Sequence, residues 1–127
     1  GVELKHTRAH FARAIMESVA YMIKDFVDFM GVELDEIRSM GGGAKSKVWC
    51  NIKSSVLNKR IATLKQNETA CLGSAIFAGV GTGVFDSVES AVNKLVSINN
   101  RYENFDGCYS AVYENYKQIE KKIMSIF

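Results

Sequence analysis

The stretch Met40-Gly41-Gly42-Gly43-Ala44-Lys45-Ser46 joins a short apolar segment to an amphipathic one. Residues 36–40 carry an Ile-x-x-Met pair and are predicted to form a strand that ends in the glycine turn. Ser46 can cap a helix that ends near Asn58 and has its apolar side chains on one side. A strand, glycine turn and helix in this order direct backbone N–H groups and the positive end of the helix dipole to one point. The stretch is therefore typical of an anion- or nucleotide-binding loop, although a turn without a ligand can also require glycine.

The spacing around Lys45 excludes two common phosphate-binding motifs. A Walker A loop has Gly directly before Lys-Ser, where this sequence has Ala44. The triple glycine also lacks the G-x-G-x-x-G spacing of a Rossmann fingerprint. A second glycine-rich stretch, Gly79–Gly83, follows a predicted helix rather than a strand, and we interpret it as a connector.

The sequence on both sides of this loop predicts further elements in the order α-β-α-β-α-α-α. A long, heavily buried helix precedes the loop, with Thr7 as N-cap and Gly31 as the stop. Residues 60–64 form a second strand, parallel to the first because a helix connects the two. The apolar positions of the first helix are Phe11, Ile15, Val19, Met22, Phe26 and Phe29.

Three helices are predicted after the second strand. Thr69 caps the first of them, whose small residues would let it approach a sheet closely. The sequence Asp86-x-x-Glu89 resembles a capping box for the next. The last helix carries an apolar stripe of Tyr109, Val112, Tyr113, Tyr116, Ile119 and Ile123.

The composition indicates a single folded domain. The 127 residues are 47% apolar and 24% charged, with a net charge of +2 that is not concentrated in a basic block. No apolar stretch reaches the roughly 20 residues of a membrane helix, and no signal peptide is visible. We therefore expect neither a nucleic-acid nor a membrane partner, and we expect a cytoplasmic protein.

The cysteines and histidines do not predict a metal site. Cys50, Cys71 and Cys108 are odd in number and far apart, which favours reduced, buried thiols. His6 and His10 have the spacing of one helix face, but no persuasive third ligand follows them. We assign no metal ligand and no catalytic residue in this chain.

Two strands make a sheet too narrow to cover so apolar a first helix. We expect further strands to come from residues upstream or from another chain. The chain begins at Gly1 without an initiating Met, which suggests a piece of something longer.

Three motifs in order resemble the C-terminal part of the FGGY carbohydrate kinases. The segment His6–Tyr21 resembles the family's TRAHLARAxLEGVAY helix, and Gly41–Trp49 resembles its GGGAxSxxW loop. The segment Glu68–Ala75 resembles its ExxALGAA helix. Gly81–Phe85, together with Tyr113 and Tyr116 of the last helix, resembles the family's tail.

The resemblance implies an α/β fold, namely the C-terminal portion of an actin-like, ribonuclease-H-like ATPase lobe with few parallel strands and flanking helices. Residues 1–127 would be one domain of this kind, without the N-terminal sugar-binding lobe and the first strands of this lobe. ATP would be the cofactor, and Mg²⁺ would be held mainly by that absent part. Gly42 and Gly43 would lie along the adenosine and α-phosphate, while Ala44, Lys45 and Ser46 would border the adenine and ribose. The helix from Thr69 would pack behind this pocket.

The resemblance also implies the nucleotide-binding part of an ATP-dependent kinase that phosphorylates a primary hydroxyl of a pentulose, with D-xylulose favoured. Ribulose, gluconate and glycerol are alternative substrates. The family's catalytic aspartate and sugar contacts lie upstream of the matched stretch, so we expect the chain alone to be inactive and to meet the sugar only through the missing lobe. Alternatives are a catalytically silent interaction module that pairs with a separate kinase half, and an actin-like ATPase without a sugar substrate. A homodimer is a further partner to consider.

Overall fold

The computed structural model describes residues 1–66, 68–105 and 107–126. These residues form helices on a small mixed sheet, which confirms the predicted α/β class. In chain order the elements are α1 (Arg8–Met30), β1 (Glu36–Ser39), a 3₁₀ turn (Gly42–Lys45), α2 (Lys47–Leu57), β2 (Arg60–Leu64), α3 (Thr69–Gly81), α4 (Val88–Leu95), β3 (Ile98–Tyr102) and α5 (Ser110–Met124).

The sheet has the strand order β1-β2-β3. Strands β1 and β2 are parallel, with Ile37 opposite Ile61, as the sequence predicts. Strand β3 is antiparallel to β2, with Arg101 opposite Ala62, and the sequence did not predict it. Its sequence Ile-Asn-Asn-Arg-Tyr contains two asparagines, which are depleted in strands, so the local signal is weak.

The predicted ends of the first two helices are confirmed. Thr7 is the N-cap of α1, and its backbone N–H donates to Nδ1 of His10 at 3.1 Å. Gly31 ends α1 with a φ of 60°, a conformation that glycine adopts without strain. The hydroxyl oxygen of Ser46 accepts a hydrogen bond from the backbone N–H of Trp49 at 3.2 Å and so caps α2.

Two other predicted caps are wrong by one residue. Thr69 is the first residue of α3, and Glu68 occupies the cap position. Ser87, not Asp86, caps α4 through a hydrogen bond from the backbone N–H of Ser90 at 3.1 Å. The backbone of Ser87 is extended, which is the conformation that lets a cap side chain turn back toward the helix.

Helix α2 lies at the centre of the packing. On one side it meets α1 and the start of α5, and on the other it meets the sheet. The first contact buries Ala20, Tyr21, Ile52, Val56, Tyr109 and Tyr113. The second buries Cys50, Leu57 and Ile61, with Ile23, Val27, Ile37 and Tyr102 packed around them.

The prediction that α1 is heavily buried is wrong. Its buried residues are Ala20 and Tyr21, whereas most of the predicted stripe is exposed. The helical spacing is correct, but α2 and α5 cover a neighbouring side of the helix. The exposed side chains are Phe11, Ile15, Met22, Phe26 and Phe29, with exposed fractions from 49% to 90%.

The predictions for α3 and for the thiols also need correction. Helix α3 packs mainly against α4 rather than closely on the sheet, and it buries only Ile76. Its small residues serve a different contact, because a Cβ at Gly79 would lie 2.7 Å from the ring of Phe85. Cys50 is buried, but Cys71 and Cys108 are exposed. None of the described helices is both long enough and apolar enough to cross a membrane.

Candidate functional site

The glycine loop leaves the end of β1 through a bend that only glycine adopts without strain. Gly41 has a φ of 74°. The backbone N–H of Ala44 donates to the carbonyl oxygen of Gly41 at 3.1 Å and closes the 3₁₀ turn. The N–H groups of Gly42 and Gly43 precede this bond, so the turn itself offers them no acceptor. Two adjacent amides are therefore available to an anion.

The two glycines of this turn have different surroundings. Within the described part of the chain, a Cβ at Gly42 would have no heavy atom within 4 Å. At Gly43 the same Cβ would lie 3.0 Å from the indole ring of Trp49. Gly42 therefore leaves open space in front of the main chain, whereas a side chain at Gly43 would press against the ring of Trp49.

Side chains of α2 pack against the loop and support it. The indole Nε1 of Trp49 donates to the carbonyl oxygen of Met16 at 3.2 Å, which fixes the ring against α1. The thiol of Cys50 lies 3.8 Å from the carbonyl oxygen of Gly43 and 3.6 Å from that of Ala44. Burial raises the pKa of this thiol, and the nearby Lys53 opposes the shift. Cys50 is thus a neutral support of the loop.

The structure brings the five predicted binding residues together on one short turn. Gly42 and Lys45 are exposed, and the three other residues, Gly43, Ala44 and Ser46, are half-buried. The oxygen of Ser46 is used in capping α2, but a hydroxyl can still donate its hydrogen to a second partner. Nucleotide contact by these residues remains a prediction.

His6 and His10 take part in local capping. The backbone N–H groups of Glu3 and Thr7 donate to their Nδ1 atoms at 2.8 and 3.1 Å. Because Nδ1 accepts in both rings, the ring hydrogen of the neutral imidazole lies on Nε2. Across residues 1–66, 68–105 and 107–126, no group of three or more His, Cys, Asp or Glu residues is placed to hold a metal ion.

A buried cation that the sequence did not predict lies beside the loop. Lys53 in α2 is only 7% exposed, and its Nζ donates to the hydroxyl oxygen of Ser39 at the end of β1. The ammonium also lies 5.6 Å from the centre of the Trp49 ring. Burial lowers the pKa of Lys53, and the Cys50 thiol opposes the shift. The spacing Trp49, Lys53, Leu57 places this lysine on the packed side of the helix and could have revealed it.

Lys53 lines a cavity of about 350 Å³ between α1, α2 and β1. Its walls are mainly apolar, and Gly43 and Trp49 connect it to the glycine loop. The remaining lining residues are Val19, Ile23, Ile37, Arg38, Ser39, Met40, Leu57 and Ile61.

A parallel strand pair joined through an open glycine turn and a capped helix places the chain among the α/β domains whose strands are connected through helices. Residues 1–82 match the FGGY family of carbohydrate kinases, C-terminal domain. The chain belongs to the FGGY family of carbohydrate kinases.

Individual relatives agree with this membership. The xylulose kinase of Staphylococcus epidermidis is 34% identical over 99% of this chain, but the match covers 28% of that protein. The ligand-bound xylulose kinase of Lactobacillus acidophilus superposes with a TM-score of 0.83 at 18% identity, over 98% of this chain and 26% of that one. The glycerol kinase of Plasmodium falciparum with ADP gives a TM-score of 0.75 at 27% identity. The superposition covers 95% of this chain and 26% of that one. The predicted C-terminal part of an FGGY carbohydrate kinase is confirmed, and the chain spans about a quarter of the length of these relatives.

Proposed function

We propose that this chain is the nucleotide-binding part of an ATP-dependent sugar kinase that transfers the γ-phosphoryl group to a primary hydroxyl of a pentulose. The observation that carries the proposal is the open turn at Gly42, with two available amides, in a domain of the FGGY family. D-Xylulose is the favoured substrate because a xylulose kinase is 34% identical over nearly the whole chain.

The residues of the turn fit a nucleotide. The amides of Gly42 and Gly43 can donate hydrogen bonds to phosphate oxygens, and the open space at Gly42 lets a ligand approach the main chain. The N-terminus of α2 adds the positive end of its dipole. Lys45 is exposed beside the turn and adds a positive charge. ATP supplies the phosphoryl group when bound, and Mg²⁺ neutralises charge on its phosphates.

The contribution of this chain to catalysis would be positioning. Amides and dipoles that are fixed before the substrate arrives orient the nucleotide without reorganising during the reaction. We assign the sugar, the metal and the catalytic carboxylate to the remaining three-quarters of the kinase. This assignment follows from the chain's share of its relatives, 28% of the Staphylococcus epidermidis protein. The chain alone should therefore not transfer phosphate.

Glycerol is the second candidate substrate. The glycerol kinase of Plasmodium falciparum, solved with ADP, is 27% identical over 95% of this chain. That likeness supports nucleotide binding in the same way as the xylulose kinase match, but it points to a different acceptor.

The proposal is tested by titrating ADP into the complete kinase that contains this chain and by assaying D-xylulose, D-ribulose, gluconate and glycerol as acceptors. We expect ADP to bind and D-xylulose to give the highest kcat/KM. Preference for another of these acceptors would reassign the substrate and leave the nucleotide site intact. Absence of ADP binding by a folded kinase would contradict the proposal.

A further inference from the structure

Lys53 contacts the chain on both sides of the glycine loop. Its Nζ donates to the hydroxyl oxygen of Ser39, which is the last residue of β1. The same Nζ lies 5.6 Å from the centre of the ring of Trp49, in the first turn of α2. That ring would lie 3.0 Å from a Cβ at Gly43. One ammonium therefore joins the strand that enters the loop to the aromatic ring against which the loop packs.

The positive charge of Lys53 has no negative partner in the described ranges, where no carboxylate lies within 4.0 Å of Nζ. Strand β1 contributes one charged side chain to the lining of the cavity, the cation Arg38. The thiol of Cys50, the titratable neighbour on α2, is neutral because burial raises its pKa. The lining side chains from α1 and β2 are apolar, namely Val19, Ile23 and Ile61. The hydroxyl of Ser39 and the ring of Trp49 are therefore the contacts that stabilise the ammonium.

Both of these contacts depend on the charge of the amine. A hydrogen bond from an ammonium is about twice as strong as one between neutral groups, and attraction to the face of an indole ring requires a cation. An apolar side chain of similar length would fill the same space and make neither contact. The charge of Lys53 can therefore be removed without removing its volume.

The glycine loop needs support from outside because glycine restricts the backbone little. Residues 41–43 are three consecutive glycines, and Gly41 has a φ of 74°. Ordering flexible residues when a ligand binds costs free energy, so a loop that is held in place beforehand binds more tightly. Contacts at Ser39, before the glycines, and at Trp49, beside Gly43, restrain the loop from both sides.

We propose that Lys53 is a positioning residue for nucleotide binding, whose ammonium holds the glycine loop in the conformation that presents the amides of Gly42 and Gly43. The proposal rests on the proposed function, because it assumes that the nucleotide meets these amides. Lys53 is buried, and its Nζ is already engaged by Ser39. It therefore acts through the loop rather than by touching the nucleotide.

The test compares Lys53→Met with the wild type in the complete kinase that contains this chain. Lys94→Met is the matched control, because Lys94 is exposed on α4 and its Nζ lies 5.9 Å from the centre of the Phe85 ring. The control thus removes the same kind of contact outside the glycine loop and its supporting helix. We expect Lys53→Met to weaken ADP binding about fivefold or more and to raise KM for ATP similarly, with KM for the sugar unchanged. Lys94→Met should change none of these.

Lys53→Arg tests whether the charge is what matters. A guanidinium keeps the positive charge, stacks on aromatic rings and donates to oxygen, so ADP affinity should stay within about twofold of the wild type. Lys53→Met is expected to fold, because an apolar side chain of similar volume often replaces a buried charge without loss of stability.

The possible outcomes separate this inference from the proposed function. Unchanged ADP affinity in Lys53→Met would overturn the role of Lys53 and leave the nucleotide site in place. An equal loss in Lys53→Arg or in Lys94→Met would do the same. A rise in KM for the sugar as large as that for ATP would also overturn it, because that pattern indicates a general loss of structure. Absence of ADP binding by the folded wild type would refute the proposed function and this inference with it.

Discussion

The indole nitrogen of Trp49 donates a hydrogen bond to the carbonyl oxygen of Met16, across 3.2 Å between α2 and α1. The same indole ring would lie 3.0 Å from a Cβ at Gly43. One side chain therefore connects the glycine loop to the longest helix of the domain. The position of the loop depends on how α1 packs.

Trp49→Phe should loosen this connection. We expect the free energy of unfolding to fall by about 1–2 kcal/mol, because a hydrogen bond and part of a large aromatic contact are lost. ADP affinity should fall as well, since Gly43 loses the surface against which it rests. Urea unfolding and ADP titration measure the two effects. Val48→Ala, at the exposed neighbouring position, should change neither, and equal effects of the two variants would contradict the role given to Trp49.

Gly42→Val should weaken ADP binding by about tenfold or more without unfolding the kinase. The open space at Gly42 accommodates the side chain, but that side chain then occupies the approach of the nucleotide. Gly42→Ala should have a smaller effect in the same direction. Ala111→Val, on the exposed part of α5, serves as the control for the added volume. Unchanged ADP affinity in folded Gly42→Val would show that the nucleotide lies elsewhere.

Ser46→Ala separates helix capping from ligand contact. Loss of the cap on α2 should lower the free energy of unfolding by about 1 kcal/mol. Ser87→Ala removes the corresponding cap from α4 and should cost a similar amount. Only the Ser46 variant should also weaken ADP binding. If both variants reduce ADP affinity equally, the effect of Ser46 is purely structural.

Stability should fall between about pH 10 and 12. Burial, reinforced by the charge of Glu17, raises the pKa of Tyr21 from 10.0 to about 12. Burial and the hydrogen bond to Glu17 raise the pKa of Tyr109 to about 12. The unfolded chain therefore releases these protons at lower pH than the folded chain, and the stability they provide is lost as pH rises through this range. Urea unfolding at increasing pH measures the loss.

Tyr21→Phe isolates one of these groups. Among the described residues the hydroxyl of Tyr21 is buried without a hydrogen-bond partner. Its removal should leave stability at neutral pH equal or slightly higher, because an unsatisfied buried hydroxyl is costly. The loss of stability between about pH 10 and 12 should be smaller than in the wild type. A steeper loss in the variant would refute the linkage.

Local signals predicted the loop and its supports. These signals are a glycine at a bend, a serine at a helix start and an apolar spacing of three and four, and each acts over a few residues. The turn at Gly41, the cap at Ser46 and helix α2 were therefore predicted correctly. The exposure of Phe26 and its neighbours on α1 could not be predicted, since spacing shows which side chains share a side but not what covers it. Strand β3 was missed because pairing with β2, rather than the propensity of its asparagines, stabilises it.

The outer strand β3 exposes Asn99, Asn100 and Arg101, and Arg101 is also held by Glu36 of β1 at 2.7 Å. Polar and charged side chains on a short outer strand disfavour the addition of another. Among the strands of the described residues, β1 is therefore better suited than β3 to accept a further strand. Two copies of this chain that pair through β1 should therefore stop at a dimer and should not extend into fibres.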